Sequence, residues 1–234
     1  MLMYHKVGEP VATRADRFLN VPTPSFRRQM RLLARLGFRA VTFGDLADGL
    51  AGRAELPAKP VCITFDDGYS GVATQAAPAL RELGWPATIF APTAHVGRRN
   101  DWDAANGKPV LPLLGWDELR ALQGDGWEVA GHTRTHPRLA DLPDEQALEE
   151  MRAGREELEE RLSATVRTFC YPYGSANVRT PELAKEAGFV AACTTHSGWA
   201  DAAQDPFLLP RVKVASRDDA WGLCYRLFIR PKLG

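Results

Sequence analysis

Two adjacent carboxylates, Asp66 and Asp67, follow the apolar run Val61-Cys62-Ile63-Thr64-Phe65 and precede Gly68. Consecutive residues leaving a strand point in different directions, so one carboxylate can ligate a metal while its neighbour acts as a base. Gly68 then permits a tight turn. Alone, Asp-Asp-Gly is read equally well as a polar turn with a helix cap. The histidines narrow the choice. His132 and His136 are separated by three residues, a spacing common in metal sites. Pro137 disfavours helical geometry at His136, which puts the pair on a loop. Two imidazoles and a carboxylate suit a borderline cation such as Zn2+, with coordination positions left for water and substrate.

These residues need a scaffold, and the chain supplies short apolar runs alternating with helical patterns. Runs at 2–5, 38–43, 61–65, 87–92, 127–132, 168–172 and 189–195 read as strands. Helical patterns cover 24–36, 44–51, 72–83 and 116–123, a longer charged stretch around Leu148 to Leu162, and one opening at Thr180. Thr23 is placed to cap the first helix and Pro24 to occupy its first position. Residues 97–113 form an irregular insertion. Such alternation predicts an α/β fold, a parallel sheet covered by helices; periodicity does not decide whether it closes. His5, Asp66-Asp67, His132 to His136 and Tyr173-Gly174 all fall just past strand ends. In parallel α/β folds that rim is where catalytic groups are displayed.

At 234 residues, 45% of them apolar and 25% charged, the chain suits one globular domain over 1–234 with a core. Residues 215–234 form a helical tail. Lys plus Arg balances Asp plus Glu at 29 each, which gives no bulk attraction for nucleic acid or an anionic membrane. Cys62, Cys170 and Cys193 sit in apolar runs and, with Cys224, are read as buried thiols rather than a disulfide framework. No run is long enough to span a membrane. The opening residues lack the plan of a signal peptide, which leaves the compartment open between cytoplasmic and an exported form without its leader.

The segments TFDDG, HTRTH and FCYPYG resemble three motifs of the polysaccharide deacetylases, carbohydrate esterase family 4, or NodB-homology family. The opening MYHKV resembles the circularly permuted branch that includes poly-β-1,6-N-acetylglucosamine deacetylases. The resemblance covers roughly residues 1–214 and implies a distorted (β/α)7-type barrel. It implies Asp66 as general base and Asp67, His132 and His136 as metal ligands, with Zn2+ foremost and Ni2+, Co2+ or Fe2+ as alternatives. The backbone N–H of Tyr173 becomes an oxyanion donor. His5 is the favoured general acid, and His196 after the 189–195 strand is the alternative. The implied substrate is an N-acetylated oligo- or polysaccharide. An amidase on a small non-sugar acyl amide and a carbohydrate-binding pseudoenzyme that keeps the metal are the competing readings.

One departure stands out. Many family members carry Arg three residues before the motif tyrosine, where this chain has Cys170. Arg211, in Leu-Leu-Pro-Arg-Val-Lys-Val, is the candidate to supply that charge. Trp102, Trp116 and Trp199 fall in or beside loops; aromatic faces suit sugar rings, though any single tryptophan is more often a packing residue. The aromatic and arginine-rich tail reads as a final packed helix, with peripheral membrane contact as the alternative.

Overall fold

The computed structural model describes residues 1–8, 19–215 and 220–229. Strand β1 (Leu2–Tyr4) leads to a short parallel pair, β2 (Lys6–Val7) and β3 (Asn20–Val21), and then to helix α1 (Thr23–Arg35). Next come β4 (Arg39–Val41), α2 (Phe43–Leu50), β5 (Pro60–Phe65) and a π-helical turn over 72–76 that runs into α3 (Ala77–Arg81). The chain continues through β6 (Thr88–Ala91), α4 (Trp116–Gly124), β7 (Glu128–Gly131) and α5 (Asp144–Leu162). It finishes with β8 (Thr168–Cys170), α6 (Thr180–Glu186), β9 (Ala191–Cys193), β10 (Val212–Lys213) and α7 (Ala220–Cys224).

Local chemistry explains most boundaries. In α1 the helical spacing of Phe26, Met30 and Leu33 buries one stripe against the sheet. Thr23 is not its cap: Pro22 holds that position, and the Thr23 hydroxyl instead reaches the Gln75 side chain at 3.0 Å. A reciprocal capping box between Thr42 and Asp45 starts α2. The helix expected over 72–83 runs without interruption from 71 to 81, but its first part is wound as a π-helix. Pro78 has no N–H to donate and its ring crowds the preceding turn, so the chain enters α3 through a wider coil.

The main sheet runs β10-β1-β5-β6-β7-β8-β9, with β4 paired to the first half of β5. Every pairing is parallel. Residues 209–213 join its two edges. Leu209 bridges Cys193 of β9, while Val212 lies opposite Leu2 of β1. The curled sheet therefore meets itself through one extended segment, giving the distorted barrel expected from the motifs.

Alternation divides the core. Val61, Ile63 and Phe65 of β5 join the large cluster formed with the helices, and Phe65 stacks on Trp127 at 5.6 Å. Cys62, Phe90, Ala130, Cys170 and Cys193 pack with α2 in a separate inner cluster. Filling the lower barrel with apolar groups confines polar chemistry to the upper rim. Glu128 is one departure from this, a partly buried residue whose carboxylate is held by the Gly44 N–H and the Thr88 and Thr168 hydroxyls. Burial raises its pKa despite those donors. The cysteines are free; Cys62, Cys170 and Cys193 are buried as expected, whereas Cys224 is only partly buried. Among the described residues no helix is long and apolar enough to cross a membrane.

Candidate metal centre and catalytic cleft

Asp67 leaves β5 with a left-handed backbone, φ 71°, and Gly68 continues the turn at the same value. His132 leaves β7, and left-handed residues Thr133 (φ 65°) and His136 (φ 66°) fold the loop back. Such conformations cost a non-glycine residue on the order of 1–3 kcal/mol each, so the surroundings must hold them. Helix α5 does so. The Glu150 carboxylate accepts the Arg134 and Thr135 N–H groups at 3.0 and 2.8 Å and the Thr135 hydroxyl at 2.7 Å. Gly154, one turn on, lets the helix approach Thr133 closely.

The loop and the β5 turn bring one donor atom from each of Asp67, His132 and His136 within 4.8 Å of one another, all buried. His132 donates its Nδ1–H to the Cys170 carbonyl at 2.7 Å, which leaves Nε2 facing Asp67 Oδ1 at 3.2 Å. His136 Nε2 faces the same oxygen at 3.2 Å. Burial would raise the Asp67 carboxyl, but the two imidazoles hold it well below the carboxylate range. Two nitrogens and an ionised oxygen converging on one point fit a borderline divalent cation.

Asp66 faces a different set of groups. Arg211, fully buried, grips its two oxygens at 2.6 and 2.7 Å. The guanidinium also donates to the Thr64 hydroxyl (2.9 Å) and the Thr194 carbonyl (3.0 Å), and it contacts Cys170 Sγ at 3.1 Å. Burial pushes the Asp66 carboxyl up, yet the Arg211 charge, with help from His5, leaves it below its ordinary value. His5 Nε2 lies 3.7 Å from Asp66 Oδ2. Burial lowers the imidazole's pKa although Asp66 and Asp67 pull the other way. Arg211, remote from Cys170 in sequence, thus sets its charge against Asp66 over a cysteine small enough to admit it.

His5, Asp66, Asp67, His132 and His136 share one cleft of about 260 Å3. Its walls include Trp102, Lys108, Arg138, Tyr173 and Thr195. Tyr173 adopts φ 59°, contacts the His136 ring at 4.7 Å between centroids, and lies under the Arg138 guanidinium. His196 is exposed and does not line the cleft; its backbone carbonyl accepts the Arg211 N–H. Trp116 packs at the core margin with Arg161 over its ring, and Trp199 is half-exposed beside a different, apolar pocket. Of the three tryptophans only Trp102 reaches the cleft.

Several contributors escape a reading of the sequence. Glu150 is one of many acids on a charged helix, so nothing marks it. Gly154 carried a signal, since a glycine inside a helix weakens it unless something packs close. Asn100 and Asp103, buried within the insertion, looked like ordinary loop residues.

The polysaccharide deacetylase family model matches residues 53–192. The poly-β-1,6-N-acetyl-D-glucosamine N-deacetylase of Escherichia coli (strain K12) is 27% identical over 249 aligned positions, covering 92% of this chain and 36% of that protein. The chain thus spans about a third of that relative's length. The structure of IcaB from Ammonifex degensii superimposes with a TM-score of 0.78 at 26% identity, covering 96% of this chain and 94% of that one. Streptococcus pyogenes deacetylase PplD, solved in complex with acetate, gives a TM-score of 0.82 at 22% identity over 96% of both chains, a likeness of fold. With its motif residues gathered at one rim of this barrel, the chain belongs to the polysaccharide deacetylase family.

Proposed function

We propose that the chain is a metal-dependent hydrolase that removes N-acetyl groups from an N-acetylglucosamine-containing polysaccharide or glycoconjugate. One observation carries this reading: the Arg211-clamped Asp66, with His5 beside it, opens into the same cleft as the Asp67, His132 and His136 donors. The name of the Escherichia coli relative supports the substrate class.

Asp67, His132 and His136 would hold the cation. When bound, it polarises the acetamide carbonyl and acidifies the attacking water. Asp66 takes the proton of that water as its oxygen bonds to the carbonyl carbon. The Arg211 fork fixes the carboxylate plane. The Tyr173 N–H stabilises the oxyanion, a role typically worth about 10²–10³ in rate. His5 protonates the departing nitrogen as the C–N bond breaks, releasing acetate and the free amine.

The decisive experiment measures acetate release from β-1,6- and β-1,4-linked N-acetylglucosamine oligomers, with wild type and Asp66→Asn. Release that stops on chelation, returns with Zn2+ and is lost in the variant fits the proposal. Oligomer binding without release would mark a binding pseudoenzyme, and turnover of simple acetamides alone would mark a small-molecule amidase.

A further inference from the structure

A ligating histidine normally donates its second ring N–H to a carboxylate, carbonyl or water, which fixes the ring's orientation. His132 follows that rule through the Cys170 carbonyl. His136 does not. Its Nδ1 is buried and finds no hydrogen-bond partner among the described residues, although the residue is only 4% exposed. What meets the imidazole instead is the indole of Trp102, stacked with centroids 4.2 Å apart and planes inclined by 27°. Trp102 is itself met edge-on by His95 at 4.8 Å.

We propose that Trp102 is a positioning residue for cation binding, its stacked face fixing His136 as the Cys170 carbonyl fixes His132. The inference rests on the ligand assignment made above. The indole can serve because the insertion that carries it is anchored. Asn100, fully buried, donates to Asp103 Oδ2 at 2.9 Å and to the Tyr69 hydroxyl at 3.2 Å. Lys108 closes on Asp103 at 2.8 Å. Tyr69 bridges Leu113, and the Leu114 N–H donates to the Gly68 carbonyl at 2.8 Å. The insertion is therefore bonded to the turn that presents Asp67 and stacked on the ring of His136. It braces two ligands that come from different strands.

The test compares wild type, Trp102→Phe, Trp102→Leu and Trp102→Ala as full chains. Zn2+ affinity is read by competition with a chromophoric chelator, and ligand geometry by the visible spectrum of the Co2+ form. Trp102→Ala and Trp102→Leu should weaken Zn2+ binding by about 10- to 100-fold, the usual effect of removing a partner that orients a ligand. Trp102→Phe keeps a stacking face and should stay within about threefold of wild type. Leucine fills space without a π face, so the Phe–Leu contrast decides the matter even if the alanine variant folds poorly. Equal Zn2+ affinity in the Phe and Leu variants would overturn the proposal. So would unchanged affinity in Trp102→Ala alongside lost acetate release, since the indole would then be acting on substrate. The affinity arms require no turnover, so a wild type that binds Zn2+ but releases no acetate would refute the substrate reading and leave the brace standing.

Discussion

Arg211 and Asp66 form a two-point ion pair inside the barrel, Nη1 to Oδ1 at 2.6 Å and Nη2 to Oδ2 at 2.7 Å, with the arginine wholly buried. Removing one partner of such a pair leaves an uncompensated charge in the interior, which typically costs about 3–5 kcal/mol. Arg211→Ala should therefore lower stability by about that amount in urea unfolding. Arg211→Lys keeps the charge but not the planar fork. It should remain folded and lose kcat with little change in KM. Full kcat in a folded Arg211→Lys protein would refute a positioning role.

His5 and His196 separate cleanly in space, one buried beside Asp66 and the other exposed outside the cleft. His5→Ala should cut kcat by about 10²–10⁴, the usual effect of losing a general acid. His196→Ala should leave acetate release unchanged. The reverse result would transfer the acid's role to His196.

Gly154 provides a test whose sign runs against helix propensity. Exchanging a helical glycine for alanine ordinarily stabilises by about 1 kcal/mol. Here the added Cβ would lie 2.7 Å from the Thr133 carbonyl carbon and 2.8 Å from its oxygen, both backbone atoms. Gly154→Ala should destabilise by about 1–3 kcal/mol, as overpacking does. It should also weaken Zn2+ binding, because the displaced loop carries His136. A stabilised variant would show that the helix has room to retreat.

Asp48 on α2 and Arg167 beside β8 make a bidentate pair at 2.7 and 2.8 Å. The hydrogen bonds from Arg167, with Arg53 adding to them against the opposing effect of burial, bring the Asp48 carboxyl down to about 2. A depressed carboxylate contributes stability above its unfolded value, and that contribution fades as pH falls through the folded one. Both side chains are partly exposed, so Asp48→Asn should cost no more than about 1 kcal/mol at pH 6. The gap to wild type should narrow steadily in urea melts at pH 4 and pH 3. A gap that widens on acidification would contradict the assignment.

Much of the scaffold was legible because parallel strands buried on both faces leave apolar runs, and because chemistry collects where those runs end. Asp66, Asp67, His132 and His136 could be located on that basis. The Cys170 departure even pointed to a distant arginine, and Arg211 lies against that thiol. What stayed hidden depends on relations no local pattern encodes. His196 follows a strand as His5 does, and only the path of the chain past β9 turns it outward. The meeting of Trp102 with His136 depends on the backbone of an insertion without periodicity. The left-handed residues Asp67, Thr133, His136 and Tyr173 carry ordinary side chains, so their strain shows only in the folded backbone.

The segment that closes the barrel also sets an order of assembly. During synthesis Asp66 and the three proposed cation ligands emerge well before Arg211, and β1 waits through almost the whole chain for its neighbour β10. Until that last strand docks, a carboxylate destined for the interior lacks the Arg211 counter-charge and favours staying hydrated. A nascent chain that already holds every proposed metal ligand would therefore lack the oriented Asp66 of the proposed mechanism, which would be completed only with the final seam.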